Sequence, residues 1–270
     1  MITLSPSRVL QKLRSGETVF CYKINSACSR IVELAAVSGF DCIWLCNEHT
    51  TNDWETLEKQ VLAARVEQTD VMVRVSRGDY SDLVKPFEMD ASGIMVPHLM
   101  SADDARRIVH FTRFHPIGRR PVDGGGIDGR FCLVPPQQYI AFANANRFVA
   151  VQIEDPEPLA ELDEICRIPG IDMLFFGPGD FSHAIGELGN LDHPEVCRAR
   201  KLVAQKARQY HKFAGTMGTP DNYRALEAMG YRFINLGGDV LSVGNDCRHM
   251  LDVVHPDRSR SASDTRRNIF

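Results

Sequence analysis

Residues 148–180 read FVAVQIEDPEPLAELDEICRIPGIDMLFFGPGD and contain two short apolar runs, each followed by an acidic residue. The first run, 148–154, ends in Glu154, and the second, 173–176, leads through a Gly-Pro-Gly turn to Asp180. Runs that are this short and almost continuously apolar are typical of parallel strands covered on both faces. The segment therefore predicts two parallel strands whose carboxyl ends carry acidic side chains.

Similar runs occur along the whole chain. The predicted strands comprise residues 20–24, 42–47, 71–75, 93–97, 148–154, 173–176, 213–216 and 233–236. Apolar spacing, N-cap residues and first-turn prolines predict helices at 26–38, 54–68, 101–113, 194–209 and 220–229. This alternation fits a closed parallel barrel or a doubly wound sheet, and eight units in about 240 residues favour an α/β fold of the (β/α)8 TIM barrel type. We expect one domain, 1–255, and a disordered tail, 256–270.

Composition restricts the class of partner. The chain has 270 residues, a net charge of −4 and an isoelectric point near 6.1. Nucleic-acid and anionic-membrane partners require a basic face, so this balance argues against both. No apolar run approaches the roughly 20 residues of a membrane span, and residues 1–14 lack the pattern of a signal segment. None of the eight cysteines forms a CxxC pair, so we expect reduced, mostly buried thiols in a cytoplasmic protein.

Polar residues at the ends of the predicted strands form the candidate active site, because a parallel barrel builds its site from strand ends and the following loops. Glu154 and Asp180 can ligate a hard divalent cation together with water and substrate oxygens. The alternatives are that they cap helices, or that they serve as the acid and base of a glycosidase. The turn Gly177-Pro178-Gly179 can present N–H groups to a carboxylate or phosphate.

Two further strand ends carry residues suited to acid–base and anion chemistry. Arg74 ends an otherwise apolar strand and is expected to bind substrate, with a buried structural ion pair as the alternative. Histidine is the side chain best suited to carry protons near neutral pH, and His49 follows Glu48, so it is a candidate proton carrier. His98 and His183 are weaker candidates for the pocket. Residues 116–136, between the fourth and fifth strands, are expected to form a lid at the barrel mouth.

These ordered motifs resemble those of the HpcH/HpaI aldolase/citrate lyase family, specifically its metal-dependent class II pyruvate aldolases. The similarity extends from about residue 13 to residue 251. The matching segments are AAVSGFD at 35–41, EH at 48–49, VR at 73–74, MVP at 95–97, VQIE at 151–154, FGPGDFS at 176–182 and DHPEV at 192–196. The resemblance implies a lyase that forms or cleaves 4-hydroxy-2-oxo acids, with a small 2-oxo acid and an aldehyde as partners.

The resemblance also implies a role for each matching position. Glu154 and Asp180 would ligate Mg²⁺ or Mn²⁺, with Co²⁺ as a further option. His49 would transfer the proton, and Arg74 would hold the keto oxygen that becomes the enolate oxygen. Backbone N–H groups of Gly179 and Asp180 would bind the substrate carboxylate.

Two more implications concern the surroundings of the site and the assembly. Gln152 would support the site. Glu88 corresponds to a position where the family commonly has an aspartate near the active site, with reach into a neighbouring subunit. Family members are usually hexamers with an exchanged C-terminal helix, here 242–254, so a trimeric or hexameric homo-oligomer is expected.

One position departs from the family pattern. The family usually has an aspartate three residues before the histidine, and here that residue is Cys46. A neutral thiol does not stabilise an imidazolium as a carboxylate does. Another acid replaces the aspartate, or the proton chemistry differs, or turnover is slow. The glycine run 124–126 also departs from the family's loop and leaves the aldehyde undefined.

Several alternatives to a metal-dependent aldolase stay open. They are a CoA-thioester lyase of the same superfamily, an oxaloacetate-type decarboxylase, and a non-catalytic barrel that retains metal binding. The decarboxylase needs no His–Asp dyad, which suits Cys46. No lysine ends a predicted strand, which disfavours a Schiff-base aldolase, and Lys23 within the first strand is the only candidate for that scheme.

Overall fold

The computed structural model describes residues 4–256, so the predicted tail lies outside the described residues apart from Pro256. The strands are β1 (Val19–Ile24), β2 (Cys42–Cys46), β3 (Asp70–Arg74), β4 (Gly93–Val96), β5 (Phe148–Ile153), β6 (Met173–Phe176), β7 (Phe213–Met217) and β8 (Phe233–Gly238). All are parallel and follow chain order around a closed barrel, in which β8 pairs with β1. The predicted (β/α)8 barrel is confirmed.

Helices surround this barrel. The described residues form α1 (Arg8–Arg14), α2 (Ser29–Val37), α3 (Trp54–Arg65), α4 (Tyr80–Glu88), α5 (Ala102–Thr112), α6 (Pro136–Asn146), α7 (Leu162–Arg167), α8 (Pro178–Ala184), α9 (Pro194–Gln209), α10 (Tyr223–Met229) and α11 (Asp239–Val254). Ser101 is the predicted N-cap of α5, and its side chain accepts a hydrogen bond from the N–H of Asp104. None of the helices in this part of the chain is long and apolar enough to cross a membrane.

Large apolar side chains fill the barrel interior. Trp44, Met72, Phe148 and Phe175 pack there in one buried cluster, while the outward residues of the strands pack against the helices. Both faces of each strand are therefore covered, which explains the nearly continuous apolar runs in the sequence. Because the interior is filled, space for a substrate lies at the ends of the barrel.

The segment 116–136 does not cover the carboxyl ends of the strands, so its prediction as a lid over the chain's own site is wrong. It connects α5 to α6 and thus lies at the end where the strands begin. Within it, Arg120 forms a buried ion pair of 2.9 Å with Asp128, and Tyr139 of α6 also donates to that carboxylate. These bonds give the segment a packed structure at the opposite end of the barrel.

The eight cysteines all lie within the described residues, and all are free thiols. Cys21, Cys42, Cys46 and Cys166 are buried, whereas the other four are partly or fully exposed. The expectation that most of them are buried therefore holds for half of them.

Candidate active site

The carboxyl ends of four strands bring the predicted polar residues to the same end of the barrel. Glu48 follows β2, Arg74 is the last residue of β3, Glu154 follows β5, and Asp180 lies in the first turn of α8. Cys46, the last residue of β2, is the register partner of Arg74. Residues that are distant in the sequence therefore meet at the barrel mouth.

Glu154 is the buried carboxylate of this group, with 1% of its surface exposed. One oxygen accepts a 2.9 Å hydrogen bond from the backbone N–H of His98, and the other accepts a hydrogen bond from the Gln152 side chain. Burial is the main cause that raises the pKa of Glu154 to about 7, and the charge of Asp180 acts in the same direction. Two carboxylates that oppose each other's ionisation are suited to share a cation.

Because Gly177 has no side chain, the Glu154 carboxylate can occupy the space next to it. A Cβ atom at Gly177 would lie 2.7 Å from Glu154 Oε2 and 2.9 Å from Gln152 Nε2, closer than van der Waals contact allows. A Cβ at Gly179, in contrast, would have no heavy atom within 4 Å. The first glycine of the turn is therefore required by the carboxylate, and the second faces open space.

Asp180 stands at the start of α8 and is exposed. The N-cap of α8 is Gly177, so Asp180 does not cap this helix. The first N–H groups of a helix have no partner within the helix, and here they belong to Gly179 and Asp180. The first donor inside α8 is Phe181, which bonds to the carbonyl of Gly177. The turn can therefore accept an anion beside the Asp180 carboxylate.

The donors at this end of the barrel fit a hard divalent cation. Glu154 and Asp180 offer only oxygen atoms, which is the donor type that Mg²⁺ and Mn²⁺ prefer. Between residues 4 and 256, no three His, Cys, Asp or Glu side chains are grouped to hold a metal. Mg²⁺ commonly takes one or two carboxylates from the protein and completes its shell with water and substrate oxygens. The pair fits an ion that is held in this way.

The guanidinium of Arg74 is buried and fixed on three sides. Its Nε lies 2.9 Å from Glu48 Oε2, and its Nη2 donates a 3.2 Å hydrogen bond to the sulfur of Cys46. It also packs 4.9 Å from the centroid of the Trp44 ring. Burial raises the pKa of the Cys46 thiol, but the charge and hydrogen bond of Arg74 outweigh it, so this pKa is lowered. The ion pair with Glu48 orients the guanidinium at the mouth.

His49 also uses Glu48 as its carboxylate partner. Its Nε2 lies 3.4 Å from Glu48 Oε2, the same oxygen that faces Arg74, and 57% of the His49 side chain is exposed. The Cys46 sulfur accepts a hydrogen bond from Arg74, and the backbone N–H of His49 also lowers the pKa of this thiol. A carboxylate therefore accompanies the imidazole, although residue 46 does not supply it.

His98 lies inside the site, where it was only a weak candidate. Its Nδ1 is 2.8 Å from Asp155 Oδ2 and 3.7 Å from Glu154 Oε1, and its Nε2 is 3.9 Å from Glu48 Oε1. Burial lowers the pKa of His98, but these three carboxylates outweigh burial and raise it. Asp155 was missed in the sequence, where its position directly after Glu154 was the available signal.

A family model, described as HpcH/HpaI aldolase/citrate lyase, matches residues 20–245. The chain belongs to the HpcH/HpaI aldolase/citrate lyase family. It is accordingly an aldolase-type carbon–carbon lyase.

Two relatives and one solved structure of this family are similar over most of their length. 2-Keto-3-deoxy-L-rhamnonate aldolase of Escherichia coli O17:K52:H18 is 31% identical over 232 residues, which cover 86% of each chain. Hydroxypyruvate/pyruvate aldolase of Pseudomonas aeruginosa is 32% identical over 243 residues, which cover 90% of this chain and 88% of the relative. The crystal structure of an HpcH/HpaI aldolase from Desulfitobacterium hafniense DCB-2 has a TM-score of 0.85 at 25% identity, with 91% and 95% of the two chains covered.

Two of the predicted site residues of this HpcH/HpaI protein lie apart from the group at the mouth. Glu88 ends α4, at the end of the barrel where the strands begin, and its backbone carbonyl would lie 2.7 Å from a Cβ at Gly126. His183 lies in the last turn of α8 and is exposed. Within this chain neither residue contributes to the site, and the reach of Glu88 into a neighbouring subunit stays a prediction.

Proposed function

We propose that this aldolase forms and cleaves 4-hydroxy-2-oxo acids through the enolate of pyruvate or a similar 2-oxo acid. Glu154 and Asp180 would hold a divalent cation, Mg²⁺ or Mn²⁺, with Co²⁺ as a further option. The observation that carries the proposal is the buried Glu154 carboxylate, whose pKa of about 7 reflects burial beside a second carboxylate. When bound, a divalent cation stabilises the negative charge that develops on the keto oxygen.

The residues of the chain bind and orient the 2-oxo acid. The N–H groups of Gly179 and Asp180 donate hydrogen bonds to its carboxylate. Arg74 donates to the keto oxygen and adds a positive charge where the enolate charge develops. Glu48 and Cys46 hold the guanidinium in place, so little reorganisation is needed during the reaction.

His49 moves the proton at C3 of the 2-oxo acid. Its imidazole removes the proton in enolisation and returns it after aldol cleavage. Glu48, at 3.4 Å from Nε2, stabilises the imidazolium that forms in between. Gln152 donates a hydrogen bond to Glu154 and holds that carboxylate in place. His49 and Arg74 are thus the proposed catalytic residues.

The test of this proposal is exchange of the pyruvate methyl protons in D₂O, followed by NMR with and without Mn²⁺ or Mg²⁺. This reaction reports enolisation without knowledge of the aldehyde. We expect exchange that EDTA stops. Glu154→Gln and Asp180→Asn should reduce it by about 100-fold or more, since each removes one charged ligand.

Glu58→Gln, on the exposed face of α3, is the matched control and should leave the exchange rate unchanged. Full exchange in the chelated protein would contradict the metal assignment. Unaltered exchange in both site variants would contradict the assignment of the ligands.

Decarboxylation of an oxaloacetate-like acid is the second candidate. It is favoured by Cys46, which replaces the usual aspartate and leaves His49 exposed with a shared carboxylate. Decarboxylation uses the same enolate stabilisation but no proton abstraction from carbon. Release of CO₂ from oxaloacetate at a rate well above that of pyruvate proton exchange would favour this function over the aldolase.

The assembly and location belong to the same proposal. α11 exposes Val240, Val243, Leu251 and Val254, each with more than half of its surface accessible. An exposed apolar helix at the chain's end supports a homo-oligomer, a trimer or hexamer in which this helix is exchanged. In such an assembly Glu88 would approach a neighbouring site.

The proposed location is the cytoplasm. The eight free cysteines support it, because thiols stay reduced in that compartment.

A further inference from the structure

Lys23 is a cation of the barrel interior that the proposed chemistry does not use. It is the register partner of Trp44, and its Nζ lies 5.0 Å from the centroid of that ring. The charged groups that influence it all belong to the barrel mouth, and they are Arg74, Cys46, Glu48 and Asp180. The side chain therefore extends from β1 toward the same space as the proposed catalytic residues.

The ammonium group of Lys23 forms no ion pair with a carboxylate in the described part of the chain, and Glu48 and Asp180 act on it only from beyond ion-pair distance. Among residues 4–256, no carboxylate lies within ion-pair distance of its Nζ and no oxygen accepts a hydrogen bond from it. Arg74, in contrast, has Glu48 at 2.9 Å. Burial, followed by the charge of Arg74, lowers the pKa of Lys23. A partly buried cation without a counter-ion is destabilising, and an anionic ligand would relieve this cost.

The topology indicates which part of a substrate meets this cation. β1 and β2 are neighbours, and β5 and β6 lie on the other side of the closed barrel. In the proposed function His49, after β2, acts on C3 of the 2-oxo acid, while Glu154 and Asp180 face its oxygen atoms. C3 therefore points toward β1 and β2. The aldehyde that bonds to C3 approaches on this side, near Lys23.

We propose that Lys23 binds a carboxylate of the acceptor aldehyde, so that the enzyme's acceptors are aldehydes that carry an acid group. The inference rests on the proposed function, because the direction of C3 comes from the enolate chemistry. Lys23 forms no covalent bond in this scheme. Its ammonium donates hydrogen bonds to the acceptor carboxylate, while C3 bonds to the aldehyde carbon and the aldehyde oxygen takes up a proton.

The kinetic test compares two acceptors that differ in one acid group, succinic semialdehyde and butanal, with pyruvate and Mn²⁺. The wild-type enzyme should prefer succinic semialdehyde in kcat/KM. Lys23→Met keeps the length of the side chain and removes its charge. It should lower kcat/KM for succinic semialdehyde by about 10- to 100-fold, mainly through KM, and reduce the preference over butanal. Lys23→Arg should restore much of that preference.

Lys59→Met, a surface lysine of α3 paired with Glu55, is the control and should leave the preference intact. Equal losses for both acceptors in Lys23→Met would overturn the inference, because they would indicate a structural role. Reduction with borohydride in the presence of pyruvate would also overturn it if mass spectrometry found pyruvate attached to Lys23.

A binding measurement separates this inference from the proposed function. The chain has two tryptophans, so Trp54→Phe leaves Trp44 as the only one. Succinic semialdehyde should then change the fluorescence of Trp44 saturably, and adding Lys23→Met should weaken this binding by about tenfold or more. If pyruvate exchange is absent and this binding is present, the enolate chemistry fails and the anion site stands. If exchange is present and neither binding nor acceptor preference depends on Lys23, the inference fails alone.

Discussion

At the residue scale, a proton and the proposed cation would compete for the same oxygens of Glu154. Because burial beside Asp180 raises its pKa to about 7, the metal-free protein holds a proton there at pH 6 and loses it by pH 8. A cation binds the ionised form, so the apparent affinity for Mn²⁺ should rise by about tenfold between pH 6 and 8. Calorimetric titration in two buffers with different ionisation heats measures both the affinity and the proton released. Equal affinities at the two pH values would contradict the assignment.

Gly177 and Gly179 provide a matched pair of substitutions two residues apart. Gly177→Ala places a methyl group 2.7 Å from Glu154 Oε2, so it should displace that carboxylate and lower Mn²⁺ affinity by about 10- to 100-fold. Gly179→Ala meets no protein atom within 4 Å and should bind Mn²⁺ normally. It should instead raise the KM for pyruvate, because its methyl group occupies space beside the carboxylate site. Similar Mn²⁺ affinities for the two variants would rule out this account of Gly177.

The main residues of the candidate site could be proposed from the sequence because each ends or follows a short apolar strand. Glu154, Asp180 and Arg74 are polar interruptions at predictable positions, and the barrel brings such positions together. The contact between His98 and Asp155 could not be read in this way. It depends on a left-handed backbone at His98, with φ of 48°, which turns the residue back toward Glu154. Nothing in the residue types around His98 required that conformation.

At the scale of elements, Asp70 at the start of β3 ties α1 to the barrel. Its buried carboxylate accepts hydrogen bonds from Ser7 Oγ at 2.6 Å, the N–H of Val9 at 2.8 Å and Ser92 Oγ at 2.8 Å. Asp70→Ala would leave buried donors unpaired and should lower the free energy of unfolding by about 3 kcal/mol. Urea unfolding measures this change.

Asp103→Ala is the control, because that side chain is 92% exposed on α5 and its loss should change stability by less than about 0.5 kcal/mol. Mn²⁺ affinity of Asp70→Ala should match the wild type, since Asp70 lies at the other end of β3 from Arg74. A stable Asp70→Ala protein would show that α1 is held by its apolar residues alone.

Helices with a clear apolar spacing or a first-turn proline signal were predicted, whereas α4 was not. α9 has the predicted bounds, 194–209, because its apolar residues repeat with helical spacing over four turns. α4 has only nine residues and contains Pro86, which removes one helical hydrogen bond, so no helix was predicted there.

The segment 116–136 was predicted at the wrong end of the barrel, because the length of a loop does not show whether it follows a strand or precedes one. Its place after α5 decides that it lies at the amino ends.

At the scale of the whole molecule, α11 is the element least covered by its own chain. Val243 is 57% exposed and Val254 is 64% exposed, in a helix whose only buried residue is Asp239. Introducing Val243→Glu together with Val254→Glu should place charges in the proposed subunit contact and shift the assembly toward monomers. Light scattering coupled to size-exclusion chromatography measures the molar mass. Leu62→Glu, at a 51% exposed position of α3, should leave it unchanged. An unaltered mass for the α11 variant would remove this helix from the interface.

A single oxygen of Glu48 faces both the guanidinium of Arg74 and the imidazole of His49. In the proposed function, recognition of the ketone by Arg74 and transfer of the proton by His49 therefore depend on the same oxygen atom, so a substitution at Glu48 would affect both steps together. Directed evolution toward a new acceptor should leave position 48 untouched and accumulate its changes around β1 instead. A laboratory lineage that replaced Glu48 early would need a new carboxylate nearby, because Arg74 and His49 would both have lost their negatively charged partner.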